Sequence, residues 1–394
     1  MATSIRTLRL STGAAVLALM LAACGAPSGT KPNVTQTPAP AVTAQARQDV
    51  VRTDVARGLY ELAFSPAEQA LFVASSGGFG ADAAPASVLR LDPKTLAVQQ
   101  EIPLERKAFG VALDDTTGRL YVGNTVDTSV TVVDIKSNRA LGVIQLMQKV
   151  RGKDGKESYS HDLRELVVDP AAHRLYVTGH SAEGSVLFVV DTRKMTVIKT
   201  IPGLGRAKAP GLFLDAARHR IFTSNLLGEV VIVDTRSLKV TRRIQTEAAQ
   251  PMNLTYDQAG DRLFITDQGA ENIRKYMEKV APSYKPTHPG NRVLVLEVGT
   301  GRELASLPAP KGPLAIRLDT PRQRLYITSR EGGKVSVYDS KTYALVDTID
   351  LPDYPQSLTL DEARNVLYAT VKNNRDKPKD ANESVVRIQL PASR

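Results

Sequence analysis

Phe109 to Leu146 reads FGVALDDTTGRLYVGNTVDTSVTVVDIKSNRALGVIQL, and this stretch divides into four short strands. FGVALD (from Phe109) alternates and ends at an acidic turn, RLYVG (from Arg119) follows, VTVVD (from Val130) is third and ALGVIQL (from Ala140) is fourth. Between the first two lies Asp115-Thr116-Thr117-Gly118, a hairpin turn of the expected chemistry. The centre of the second strand, Leu120-Tyr121-Val122, recurs along the chain as Leu71-Phe72-Val73, Leu175-Tyr176-Val177, Ile221-Phe222-Thr223, Leu263-Phe264-Ile265, Leu325-Tyr326-Ile327 and Leu367-Tyr368-Ala369. Aromatic to aromatic, the intervals are 49, 55, 46, 42, 62 and 42 residues, the period of a four-stranded propeller blade. Seven copies predict an all-β chain, a seven-bladed β-propeller of four-stranded antiparallel blades.

The last copy is incomplete. Its strands are Ser357 to Asp361, Val366 to Val371 and Val385 to Leu390, with no fourth strand before Arg394. Asp49 to Val55, DVVRTDV, precedes the first blade and has no other partner. Pairing it with the last blade covers a bare edge that would otherwise template aggregation, so the ring is expected to close through this N-terminal strand.

Residues ahead of the repeats form two further segments. Arg6 and Arg9 precede an apolar run from Thr12 to Ala23, too short to span a membrane and flanked as in a secretory leader. It ends in Leu21-Ala22-Ala23-Cys24, which resembles a bacterial lipobox in which Cys24 is lipidated. The expected organisation is a lipoprotein signal peptide over 1–23, a lipid-anchored flexible linker over 24–48 and the propeller over 49–394. Cys24 is the single cysteine, so no disulfide forms within one molecule. The expected location is the cell envelope, held to the membrane through the lipid; with Gly25 after the cysteine, a two-membrane host would place it on the outer membrane facing the periplasm.

The formal charge is +10, and removing the leader with Arg6 and Arg9 leaves +8. An excess of this size favours anionic partners without choosing among them. In a propeller, the connections from second to third strand and from one blade to the next emerge on one face. That face receives every long insertion: Gly77 to Ser87, Met147 to His161, Gln268 to Arg292 and Lys372 to Ser384. Counted with their flanks, the last three carry +5 of the +8. Further cations stand where inner strands begin or second strands end. Arg57, Lys107, Arg164, Lys208, Arg330 and Lys372, with Tyr354, form the candidate ligand-binding set; Arg206 and Lys311 lie nearby. Phe79, Tyr159, Tyr276 and Tyr284 in the same loops offer stacking surfaces for bases. The competing reading is ordinary solvated surface, with the aromatics packed on the rim.

Signals for catalysis are weak. His173 and His219 lie in turns on the opposite face; His161, His180 and His288 belong to the loop face, and His161 with Glu165 is a loose pair with little ligand meaning. A propeller lactonase or hydrolase would need carboxylates and amides converging on the channel around a divalent ion, and Glu61, Asn225, Asn253 and Asp267 are the candidates for that alternative. Propeller channels also need polar groups simply to satisfy inner strands and trapped water. No nucleophile elbow, P-loop or dinucleotide fingerprint is present, so no cofactor is expected and nothing demands an enzyme.

The repeat form, with LYV on the second strand and VSVYD or VTVVD on the third, resembles the YVTN-repeat family of bacterial seven-bladed propellers. It is most similar to the YncE-like periplasmic proteins in GLYELAFSPAEQALFVASS from Gly58, LRLDPKTL from Leu89, GNTVDTSVTVVD from Gly123, RELVVD from Arg164, FITD from Phe264 and GKVSVYDSKTYALVDTID from Gly333. The likeness covers essentially everything after Val50. It implies an envelope-located binding protein, with single-stranded DNA binding associated with that family; no contact residue carries over by motif. The lipobox and the longer basic inserts depart from the soluble periplasmic form. The resulting expectation is a monomeric binding module whose loop face takes an anionic ligand, single-stranded DNA first. An envelope glycan or acidic protein is the next ligand, and a role as an envelope protein scaffold is the third possibility.

Overall fold

The computed structural model describes residues 49–152 and 155–391. The leader, Cys24 and the linker lie outside the described residues, as do Lys153, Asp154 and the last three residues. Seven four-stranded antiparallel sheets are present, each joined in sequence order from an inner to an outer strand except the last. The inner strands are Leu59–Ser65, Ala108–Asp114, Asp162–Asp169, Gly211–Asp215, Pro251–Asp257, Pro313–Asp319 and Tyr354–Asp361.

The residue pattern explains each strand's place. The second and third strands are packed on both faces by neighbouring blades, so they read as near-continuous apolar runs; Ala70–Ser75 is buried at every position. Outer strands face solvent and are polar, as in Val98–Leu104, where only Ile102 and Leu104 are buried. The apolar clusters straddle blade boundaries. Phe72, Val88 and Ile102 of the first blade pack with Val111, Leu120 and Val133 of the second. Leu71, Val73 and Leu89 pack with Val366, Tyr368 and Val385 of the seventh.

Closure occurs as expected, one residue later than read from the sequence. The N-terminal strand is Val50–Ala56, paired antiparallel to Glu383–Gln389 from Val50↔Ile388 to Ala56↔Glu383, with a bulge between Asp54 and Ala56. Arg52 fastens it further, donating to Ser384 Oγ, the Pro352 carbonyl and Asp353 Oδ2, each at 2.8 Å.

The two faces differ in what their polar residues do. On the plain face six of the seven inner strands end in an aspartate that accepts from the turn after it, among them Asp114 from Thr116 and Thr117, Asp169 from Ala172, Asp319 from Arg322 and Asp361 from Arg364. Turns between third and outer strands repeat the device at Asp92, Asp134, Asp191, Asp234 and Asp339, and the turn N–H donors help to hold these carboxylates below their ordinary pKa. These eleven aspartates, of 41 acidic residues, are thus committed to plain-face turns. The inserts emerge on the opposite face at residues 76–85, 146–152 with 155–161, 268–291 and 373–382. One contains a short hairpin, Val150–Arg151 with Glu157–Ser158. Another contains a helix absent from the sequence reading, α1 (Glu271–Val280).

Six of the seven inner strands carry a register shift near their loop-face end, between Leu59 and Leu62, Ala108 and Val111, Leu163 and Leu166, Pro251 and Leu254, Pro313 and Ile316, and Pro355 and Ser357. A bulge re-aims side chains and tightens the local bend. Close approach accompanies it at Gly110, where a Cβ would lie 2.2 Å from the Arg164 carbonyl oxygen and 2.8 Å from Leu166 Cδ1. Gly110→Val is therefore expected to cost about 3 kcal/mol, because the obstruction is backbone and cannot swing away. A denaturation midpoint equal to that of the parent protein would show that the strands have room to part.

Candidate functional site

The site is the loop-face mouth of the channel, and the bulged inner strands build it. Counting back from the residue that ends each inner strand, the fifth and fourth positions fall at the bulge: Tyr60 and Glu61, Phe109 and Gly110, Arg164 and Glu165. Tyr60 stacks on Phe109 with ring centroids 3.9 Å apart, and Phe79, half-exposed at the tip of the first insert, meets Tyr60 edge-on at 6.5 Å. Cations surround this stack. Lys372 Nζ stands 4.0 Å from the Tyr60 ring centre, the Arg164 guanidinium 6.0 Å from Phe109 and the Arg330 guanidinium 5.0 Å from Tyr354. Each pair is a cation–π contact that sets fixed positive charge over one face of a ring.

Behind the stack the channel narrows to a polar cavity of about 360 Å³ that includes Glu61, Glu165, Asn253 and Arg317 on its walls. Asn253 Nδ2 donates to Glu165 Oε1 at 2.9 Å, and Arg164 Nη2 donates to Asn253 Oδ1 at 3.2 Å. Glu61 is pushed well above the usual glutamate range, first by burial and then by the charge and hydrogen bond of Glu165; Arg164 and the Val111 N–H oppose the shift. Two carboxyl groups that close hold a proton between them. His180, at the same mouth, is pulled down to about 3 by burial and then by Lys208, Arg164 and His161, so it stays neutral in a cationic setting.

The Glu61 proton has a measurable consequence. The folded state binds it more tightly than the unfolded chain, so its contribution to stability is full below about 4.5 and is lost as pH rises toward the raised value. Glu61→Gln is expected to remove a slope of up to about 1.4 kcal/mol per pH unit from the stability profile above that point. Parallel profiles for the two proteins would place the proton elsewhere.

No family model matches the chain. Among curated proteins, the uncharacterized protein YncE of Salmonella typhimurium is 34% identical over 351 residues, 88% of this chain and 92% of that protein. The uncharacterized protein YncE of Escherichia coli is 34% identical over 352 residues with the same coverage. The chain belongs to the YncE family. A chain of Kuenenia stuttgartiensis hydrazine synthase superposes with a TM-score of 0.66 at 18% identity, covering 87% of this chain and 98% of its own, a likeness of propeller fold alone.

In this YncE-family chain, several candidate cations are occupied. Lys107 Nζ donates to the carbonyls of Ser76 and Ala84, fastening the first insert. Arg57 donates to the Asp82 carbonyl at 3.0 Å and lies 3.9 Å from its carboxylate. Lys208 lies 3.8 Å from Asp162 and over the Tyr276 ring. Lys372 donates to the Leu59 carbonyl and to Glu383, and desolvation lowers its pKa against the pull of that carboxylate. A lysine held by neutral carbonyls keeps its field, so Lys107 still contributes charge. Arg57, Arg164 and Arg330 each retain a buried Nε that makes no hydrogen bond among the described residues, although Arg164 Nε lies 3.9 Å from Glu165 Oε1.

The four residues weighed for a channel metal do not converge. Glu61 and Asn253 line the cavity. Asn225 and Asp267 sit at the ends of second strands, one strand away from the axis, and are consumed there. Asn225 donates to the Leu204 carbonyl and Glu229; Asp267 accepts from the Gln250 N–H and from Arg292 Nε. Sequence reasoning did not place Tyr60, Phe109, Glu165 or Arg317 in the candidate site, Glu165 having entered only in the loose pair with His161. Aligning the inner strands on their terminal residue would have exposed the first three.

Proposed function

We propose that the protein is a lipid-anchored envelope binding module that takes an anionic polymer across its channel mouth, with single-stranded DNA as the first ligand. The observation that carries this reading is the Tyr60–Phe109 stack set among Lys372, Arg164 and Arg330. Single-stranded nucleic acid needs flat apolar faces for its bases and cations for its phosphates, at close spacing and with no need for sequence readout. Two of these rings lie on adjacent inner strands, and the cations come from three different blades, so ring closure is what brings them together. The plain-face aspartates are tied into turns away from this rim, and the inserts that reach it together carry more cations than carboxylates.

Titration of labelled single-stranded DNA at about 50 and 200 mM salt tests the reading. Four phosphate contacts would weaken binding about fiftyfold over that interval. Absence of binding at the lower salt would remove this ligand.

A further inference from the structure

The helix α1 shapes a second feature of the loop face, off the channel axis. Its apolar positions Ile273, Tyr276, Met277 and Val280 fall at helical spacing and pack on Ala207, Leu226, Met252 and Leu314. The helix therefore lies over the loop-face ends of the fifth and sixth inner strands. Its start is locked: Gln250, 3% exposed, accepts from the Ala270 N–H at 2.6 Å and donates to the Ala270 carbonyl at 3.0 Å. Ala270 offers no side-chain cap to the first turn.

Next to that first turn is a cavity of about 480 Å³ whose walls include Lys275, Lys311, Arg330, Arg375, Glu271, Glu331 and Tyr354. The pocket is built from fixed parts. The Lys311 carbonyl accepts from the Gly332 N–H, the Arg330 N–H donates to the Gly312 carbonyl and the Gly312 N–H donates to Asn291 Oδ1. Glu271 lies 3.7 Å from both Arg274 and Lys275, which offsets the charge of Lys275. Lys311 and Arg375 are exposed with no side-chain partner among the described residues, and the Arg330 guanidinium makes no hydrogen bond there while packing on Tyr354. Glu331 has no ion pair among the described residues. Three cations against one carboxylate leave the cavity about +2, with first-turn N–H groups of α1 adding positive potential.

We propose that this cavity binds a phosphate monoester, the end group of the polymer, so that the protein prefers phosphate-terminated strands. This rests on the polyanion reading of the mouth. The charge selects the monoester: a phosphodiester carries a single charge, whereas a terminal phosphate carries about −1.5 to −2 at neutral pH and offers three acceptor oxygens. Arg330 belongs to both places, packing on Tyr354 and lining the cavity, which joins the end-group pocket to the stacking surface.

The full chain is titrated with short single strands carrying a 5′-phosphate, a 3′-phosphate or hydroxyls at both ends, and separately with inorganic phosphate. One of the phosphorylated strands is expected to bind about tenfold more tightly than the hydroxyl-ended strand. In the double variant Lys311→Ala, Arg375→Ala that ratio is expected to fall to about one, whatever happens to affinity overall. Both side chains are exposed and have no side-chain partner among the described residues, and an unchanged melting curve verifies the fold. Equal affinity for all three strands overturns the pocket while leaving the mouth intact. No strand binding, with inorganic phosphate captured and lost in the double variant, sustains the pocket and overturns the polymer. Failure of every probe overturns both.

Discussion

A chain beginning at Arg57 is expected to melt about 10 °C below one beginning at Asp49, because the seventh blade loses its outer strand. The deletion removes a ladder from Val50↔Ile388 to Ala56↔Glu383 and the packing of Val51, Val55 and Ala56 against Leu59, Leu71 and Val385. It also strips three hydrogen bonds made by Arg52 and leaves Asp353 with Lys377 alone. Together these losses amount to about 5 kcal/mol, and a domain of this size shifts by about 2 °C per kcal/mol. The bared strand Glu383–Gln389 should also raise aggregation, since its backbone groups become an open edge. Differential scanning calorimetry of the two chains decides the matter. Coincident melting curves would mean that the ring holds without its latch.

Removing two mouth arginines together, Arg164→Ala with Arg330→Ala, is expected to weaken single-stranded DNA binding about a hundredfold and to flatten its salt dependence by about two phosphate contacts. The two guanidiniums lie over Phe109 and Tyr354; that of Arg330 makes no hydrogen bond or ion pair among the described residues, while Arg164 donates to Asn253 and stands 3.9 Å from Glu165. Their loss takes both charge and ring-facing surface from the mouth. Lys199→Ala serves as the contrast, because Lys199 is exposed on the outer strand Thr196–Pro202 and screening isolates it from the mouth; affinity should stay within about twofold. An arginine pair whose removal matches the Lys199 effect would move the ligand away from the channel. Fluorescence anisotropy at two salt concentrations measures affinity and slope in one experiment.

The ring was legible because a period and a count survive any error in strand limits. Seven aromatic centres, turns marked by aspartate and an unpaired leading strand lead to one closed topology. The latch was displaced by one residue, and the bulge between Asp54 and Ala56 shows why: a two-residue alternation cannot reveal an inserted position. The helix escaped for a different reason. Ile273, Tyr276, Met277 and Val280 have helical spacing, but ten residues within a polar insert give a weak signal until a surface exists for that stripe to cover. The site was legible as a face and much less as a set of residues. Arg57, Lys107, Lys208 and Lys372 were chosen by charge, yet what each one holds depends on loops that only folding brings near. Asn225 and Asp267 failed as channel residues because position along a strand does not tell which strand faces the axis.

The joint between the two ends of the domain also governs when the molecule can become whole. Arg52 and Ser384 are 332 positions apart, whereas the hairpins inside each blade link near neighbours. Local sheets can form as the polypeptide emerges, but the earliest strand waits for the latest, and the slow step of assembly is a search between distant segments. Until that search succeeds, two sticky margins are open at once, so a nascent copy depends on prompt completion or on a chaperone that shields them.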